Sequence, residues 1–176
     1  GGRGTRIKNY LGKNSKPMLK FNKKHFLEYL IWHYSKFPLE EIIILAGFRG
    51  KEIKKRFHNK VFNFCKVKVI IEKKPLGTGG AVLNAKKMIR SKNFFLVNGD
   101  TFFNIDICEL LKVHTGSIVM SITSNITYLD NKKLNQISLK KNNQIFFSRN
   151  KSKLMNGGVY LINNKKINFN KSNFSL

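Results

Sequence analysis

The chain has 176 residues, 41% hydrophobic and 12% aromatic, enough to bury the core of one domain and too apolar for a disordered polypeptide. Its 34 Lys and Arg against 9 Asp and Glu give a formal net charge of +25. The lysines run along the whole length rather than gathering in one arm or stripe, which argues against a nucleic-acid-binding protein and is compatible with an anionic surface or a phosphorylated substrate as partner.

No apolar run is long enough to span a bilayer and the first residues are no signal peptide, so the expectation is a cytoplasmic protein without a membrane partner. Cys65 and Cys108 lie far apart with no ligand spacing around them, and read as reduced thiols in or near the core. His25, His33, His58 and His114 form no metal-binding pattern.

The chain opens on Gly1-Gly2-Arg3-Gly4-Thr5-Arg6. Three glycines, a hydroxyl and an arginine let successive backbone N–H groups converge on phosphate oxygens. Residues 7–24 are polar and lysine-rich, and Pro17 in Lys16-Pro17-Met18 excludes a helix across that point. Phe26, Leu27, Leu30, Ile31 and Tyr34 then recur at helical spacing, with Trp32 off the stripe, which predicts a helix over 25–34 buried on more than one side.

Glu41 to Leu45 is a β-branched run suited to a strand covered on both faces. Residues 46–50 break it, and Ile53 and Phe57 give 51–58 one apolar face. Val67 to Ile71 reads as a second buried strand, residues 72–80 as a Pro/Gly loop, and 81–89 as a helix. Phe94 to Val97 is a third buried strand ending at Asn98-Gly99-Asp100, and Asp106 is placed to cap a helix over 106–114. Beyond Ser117 four strands follow without clear helices between them: 118–123, 134–139, 144–148 and 158–162.

Alternating strands and helices in the first two-thirds predict a mostly parallel sheet with helices on both faces, followed by an antiparallel or mixed part. One domain is expected, its alternating part over 1–115 and its later part over 116–176. A phosphate loop normally follows a buried strand. The chain therefore reads as lacking a first strand before Gly1 and closing elements after Leu176, and as poorly stable and weakly active by itself.

In such sheets ligands gather at the carboxyl ends of the strands. Three loops fall there: 1–6, 72–80 and 98–100. Asp100, directly after an apolar strand, suits a hard cation such as Mg²⁺.

Taken together, GGRGTR, SKPM, PLGTGGA, NGDTFF and NGGVYLI occur in the order and approximate spacing of the sugar-phosphate nucleotidyltransferase family, which this chain resembles over nearly its whole length. The resemblance implies a Rossmann-like, three-layer α/β nucleotide-diphospho-sugar transferase fold with a mostly parallel mixed sheet. It implies nucleotidyl transfer from a nucleoside triphosphate to a sugar 1-phosphate with release of pyrophosphate. Within the family the likeness points to GTP and a heptose 1-phosphate, for lipopolysaccharide or capsule building.

It also assigns roles. Gly1, Gly2, Gly4 and Thr5 would cradle the triphosphate, while Arg6 and Lys16 would neutralise charge at the reacting phosphorus. Gly77 and Thr78 would hold the base, and Asp100 would hold Mg²⁺. Asn156 and Gly157, in a turn before the last strand, would line the sugar pocket. Glu72 has a chemical argument of its own: one carboxylate can accept both N1–H and the exocyclic amine of guanine.

The family pattern is broken at two places. Tyr128 is followed by Leu129-Asp130 rather than glycine, and Phe147-Ser148-Arg149-Asn150 lacks the usual sugar-binding glutamate. A second metal carboxylate is expected beyond Leu176. Transfer to another hexose 1-phosphate from CTP, UTP or dTTP, or a nucleotide-binding domain without catalysis, remain the alternatives.

Overall fold

A computed structural model describes residues 15–73, 77–113, 116–124, 135–152 and 154–166. They fall in two compact units, one holding the described residues of 15–92 and 164–166 and the other those of 93–163.

The first unit begins with a single 3₁₀ turn at Lys16–Met18, in which Pro17 occupies a position that needs no N–H donor. A small antiparallel hairpin follows, β1 (Lys20–Phe21) with β2 (Lys24–His25). Helix α1 (Phe26–Tyr34) comes next. The expected stripe on α1 is real, since Leu27, Leu30, Ile31 and Tyr34 are buried. The expectation of burial on more than one side is overturned. Trp32 is 47% exposed, its ring lying under the Lys36 ammonium at 5.6 Å, where an amphipathic indole loses little by staying wet.

Strand β3 (Glu41–Ala46) leads to α2 (Gly50–Phe57), and β4 (Val61–Phe62) turns tightly into β5 (Cys65–Ile71). Sheet order is β3-β5-β4, with β3 and β5 parallel and β4 antiparallel on the edge. Along β5, Cys65, Val67 and Val69 are buried while the intervening residues are not. The strand thus follows the period of two rather than being covered on both faces. β3 is likewise only partly buried before Ala46.

Met18, Leu27, Ile31, Ala46, Ile53, Phe57, Val67 and Val69 form one apolar core. Cys65 is fully buried and unpaired, and burial, with Glu41 beside it, pushes its thiol up. Both features suit an inert core thiol. Helix α3 (Gly77–Ala85) starts four residues earlier than the pattern suggests, because Gly77–Gly80 form its first turn rather than a loop. It passes into a 3₁₀ turn at Lys86–Met88, and Met88 is 40% exposed instead of facing the core.

The second unit contains β6 (Asn93–Val97), α4 (Ile107–Lys112), β7 (Ile118–Thr123), β8 (Asn135–Leu139), β9 (Ile145–Ser152) and β10 (Met155–Asn163). Asp106 caps α4 as expected, its Oδ1 accepting from the Cys108 N–H at 2.9 Å. β10 is central, antiparallel to β6 on one side and β7 on the other. Every residue of β10 from Gly157 to Asn163 is buried, whereas β6 is only partly so. β8 and β9 pair as a separate antiparallel hairpin. The later strands are therefore antiparallel, as their sequence suggests; among the described strands only β3 and β5 pair in parallel, and the one mixed sheet is β3-β5-β4. β9 and β10 are longer than predicted, and Asn156-Gly157-Gly158 lies inside β10 rather than in a turn before it.

Two substitutions test this packing. Phe57, 1% exposed in the core, should cost about 3–5 kcal/mol as Phe57→Ala. Trp32→Phe should shift stability by no more than about 0.5 kcal/mol. Urea unfolding of both variants checks the pair.

Candidate active site

In the first unit the Lys16 backbone is held from both sides. The Met18 N–H donates to the Ser15 carbonyl at 2.9 Å and the Leu19 N–H to the Lys16 carbonyl at 3.1 Å. Met18 plugs the core at 6% exposure. Its carbonyl accepts from His25 Nδ1 at 2.8 Å, which fixes the imidazole tautomer, since a carbonyl only accepts. A part-buried lysine is thus mounted on a turn anchored by an apolar neighbour.

Glu72 is placed by the parallel pair. Its N–H donates to the Ala46 carbonyl at 2.9 Å, extending the β3–β5 ladder by one bond, so the carboxylate leaves the sheet at the carboxyl end of β5. Gly50 lets α2 approach the same end closely, since a Cβ there would lie 3.1 Å from Ile71 Cγ2. Gly77, at the start of α3, has φ +68°, a conformation L side chains rarely adopt. Glu72 and the Gly77-Thr78 start of α3 therefore flank one short connection at the strand end.

The second unit brings together the predicted 98–100 loop and the Asn156-Gly157-Gly158 segment. The pairing of Val97 with Val159 and the bond from Asn98 N–H to the Gly158 carbonyl at 2.8 Å set Asn98-Gly99-Asp100 beside Gly158. Asp100 is exposed in the loop following β6. A Cβ on Gly158, whose φ is +76°, would lie 2.8 Å from Asn98 Nδ2. A Cβ on Gly157 would lie 2.6 Å from Ser121 Oγ and 2.8 Å from Phe103 Cε1. The backbone of Gly157-Gly158 therefore occupies a slot that only hydrogen side chains fit.

That slot is a bulge. β10 pairs Asn156 with Ile122 and Tyr160 with Met120, so four steps on β10 face two on β7. The displaced donors are satisfied locally. The Gly158 N–H donates to Asn156 Oδ1 at 2.8 Å and the Val159 N–H to Ser121 Oγ at 3.2 Å. Asn156 Nδ2 donates to the Tyr160 hydroxyl.

Of the predicted site residues, Lys16, Glu72, Gly77 and Thr78 fall in the first unit and Asp100, Asn156 and Gly157 in the second. Gly1, Gly2, Gly4, Thr5 and Arg6 lie outside the described residues, as does Tyr128-Leu129-Asp130. Phe147 to Asn150 run within β9. Sequence reasoning passed over Asn98, Phe103, Ser121, Gly158 and Tyr160. Asn98 and Gly158 were within reach, being members of the two asparagine–glycine motifs. Ser121 carries no signal, since one serine in an apolar strand is recognisable only by what it faces.

No group of three or more His, Cys, Asp or Glu side chains capable of holding a metal occurs among the described residues. One carboxylate at a strand end is a hard oxygen donor. It fits a cation such as Mg²⁺ that takes its other ligands from substrate phosphates and water, and does not fit a nitrogen- or sulfur-bound metal. No helix among the described residues is long and apolar enough to cross a membrane.

The fold and motifs are those of an enzyme class. A family profile described as nucleotidyl transferase matches residues 1–173, and the chain belongs to that family. Its particular likeness is to sugar-phosphate nucleotidyltransferases. It is 33% identical to the D-glycero-α-D-manno-heptose 1-phosphate guanylyltransferase of Campylobacter jejuni, over 92% of this chain and 72% of that protein. It is 32% identical to the enzyme of the same name from Aneurinibacillus thermoaerophilus, over 65% of this chain and 49% of that one. Among solved structures, HddC from Yersinia pseudotuberculosis superposes with a TM-score of 0.79 at 27% identity, covering 99% of this chain and 79% of HddC. HddC complexed with GMP-PN superposes at 0.72 with 26% identity, covering 91% of this chain and 72% of HddC. The expected nucleotide-diphospho-sugar transferase fold is confirmed.

The slot makes a direct prediction. Gly157→Ala must move Ser121 or Phe103 and should destabilise the protein by about 1–3 kcal/mol, measured by urea unfolding. An unchanged midpoint would mean that the slot is not tight.

Proposed function

We propose that the protein transfers GMP from GTP to D-glycero-α-D-manno-heptose 1-phosphate, forming GDP-heptose and pyrophosphate, in the cytoplasm and for lipopolysaccharide or capsule synthesis. The observation carrying the reading is the β6–β10 pairing that sets Asn98-Gly99-Asp100 against Asn156-Gly157-Gly158. A strand-end carboxylate and a side-chain-free backbone then stand together in one unit. The two guanylyltransferase relatives support the choice of base and sugar.

In this reading an oxygen of the sugar phosphate attacks the α-phosphorus of GTP, a new P–O bond forms in line, and the bond to pyrophosphate breaks. Such a transfer needs positioning and charge neutralisation more than covalent help. Gly1, Gly2, Gly4 and Thr5 would offer backbone N–H groups to the triphosphate. Arg6 and Lys16 would stabilise negative charge as it develops on the transferred and leaving groups.

Glu72, at the end of β5, would accept from guanine N1–H and the exocyclic amine, with Gly77 and Thr78 completing the base site at the start of α3. Asp100 would hold Mg²⁺, which when bound screens the phosphate oxygens from one another. Asn156 and Gly157 would meet the sugar. By this division residues 1–115 serve mainly the nucleotide and 116–176 the sugar phosphate.

Pyrophosphate release is the decisive assay, with GTP, ATP, CTP, UTP and dTTP each supplied beside the heptose 1-phosphate. GTP should be turned over preferentially, and EDTA should abolish release until Mg²⁺ is restored. Asp100→Ala should lower kcat by a factor of about 100 or more. Glu72→Gln should cut kcat/KM for GTP by about 10- to 100-fold. Equal use of all five nucleotides, or a Glu72→Gln enzyme with unchanged GTP selectivity, would refute the guanine assignment.

A further inference from the structure

We infer that Tyr160 is a positioning residue for sugar recognition, acting by locking the side-chain amide of Asn156 in one orientation. The inference rests on the reading above, in which Asn156 belongs to the sugar pocket, and adds to it how that side chain is aimed.

The orientation of the amide follows from its partners. A backbone N–H can only donate, so the Asn156 atom 2.8 Å from the Gly158 nitrogen is the carbonyl oxygen. The amide nitrogen must then face the Tyr160 hydroxyl, to which it donates. Flipping the amide would put its NH₂ against the Gly158 N–H and lose that bond, so Gly158 sets which end is the oxygen and the Tyr160 hydroxyl holds the other end in place. Asparagine has two N–H donors and two lone pairs on oxygen. The clamp takes one of each and leaves one N–H and one lone pair in a fixed direction. A sugar hydroxyl can accept from the one or donate to the other.

The bulge makes the clamp possible. In a regular strand, residues four apart lie on one face about 13 Å apart, beyond the reach of an amide for a phenol. Four steps on β10 against two on β7 fold that distance up. Tyr160 is 4% exposed and its backbone is paired with both Met120 and Leu96, so its hydroxyl is delivered from a fixed base. The order Asn-Gly-Gly-Val-Tyr thus encodes a ligand side chain, the two glycines that fold the strand back, and the residue that holds the ligand side chain still.

The test compares wild type, Tyr160→Phe, Asn156→Ala and the double variant. Kd for the heptose 1-phosphate is measured by calorimetry, and KM for both substrates and kcat by pyrophosphate release. Phenylalanine keeps the buried ring and removes only the hydroxyl. Tyr160→Phe should raise both Kd and KM for the sugar phosphate by roughly three- to tenfold, leaving KM for GTP and kcat within about twofold and the unfolding midpoint nearly unchanged. Asn156→Ala removes the amide altogether and leaves Tyr160 nothing to hold. Adding Tyr160→Phe to it should therefore weaken sugar binding no further.

Unchanged sugar affinity in Tyr160→Phe would overturn the inference, as would equal losses for both substrates or full additivity in the double variant. If wild type binds the sugar phosphate but releases no pyrophosphate, the proposed reaction fails while the Kd comparison still decides the role of Tyr160. If wild type does not bind it, both fail.

Discussion

The absence of side chains at two successive positions of a central strand is the constraint on which the second unit depends. β10 is hydrogen-bonded on both edges and buried from Gly157 onward. A strand so enclosed has no room to adjust. Putting a bulge into it requires that the displaced backbone lose no hydrogen bonds, because an unmet buried N–H costs about 1–3 kcal/mol. The Asn156 side chain and the Ser121 hydroxyl supply the missing acceptors, and the Asn98 N–H meets the Gly158 carbonyl. Any Cβ at Gly157 would collide with Ser121, the group that completes this set. Steric and hydrogen-bonding demands therefore coincide on the same few atoms.

The first unit solves a different problem with different means. Its polar residues of interest sit in a turn or just past a strand, and each has an apolar neighbour. Lys16 stands two residues from Met18 in the core. Glu72 directly follows Ile71, against which Gly50 packs. The parallel β3–β5 pair matters because both strands end on the same side, so residues leaving them share one edge of the sheet. Rigid elements thus carry the candidate binding groups, which suits positioning.

Much of this was legible in the residue order. Helical spacing located α1 and α2, a capping aspartate located α4, and runs of β-branched and aromatic residues located β3, β5 and β6. Burial was read less well, because a continuous apolar run does not say whether one face or two will be covered. Trp32 shows the problem: the stripe excluded it from the core, and only the indole's apolar character argued for burial elsewhere.

The Asn156-Gly157-Gly158 turn was misplaced for a related reason. Two glycines after an asparagine signal backbone freedom, and that signal is the same for a hairpin turn and a bulge inside a strand. What separates them is the partner across the sheet. Ser121 is 35 residues earlier in the chain, and no local pattern contains it.

The scarcity of acids sharpens the site further. Among nine acidic residues, Glu28 pairs with Arg56, Glu41 with Lys68, Glu52 with Arg49 and Glu109 with Lys112. Asp106 caps a helix. Exposed pairs of this kind add little stability, but they account for the placement of those carboxylates on helix and strand flanks beside bases. Glu72 and Asp100 are placed differently, Glu72 directly beyond β5 and Asp100 in the turn that follows β6.

With a net charge of +25 the whole surface draws in anions, so attraction of phosphate needs no special residue. Discrimination does. A carboxylate in such a field is the group that can hold a cation or accept hydrogen bonds from a base, and a chain this short of acids sets two of them at strand ends. The basic excess favours the encounter with anions, and in the proposed reaction Glu72 and Asp100 supply the selection.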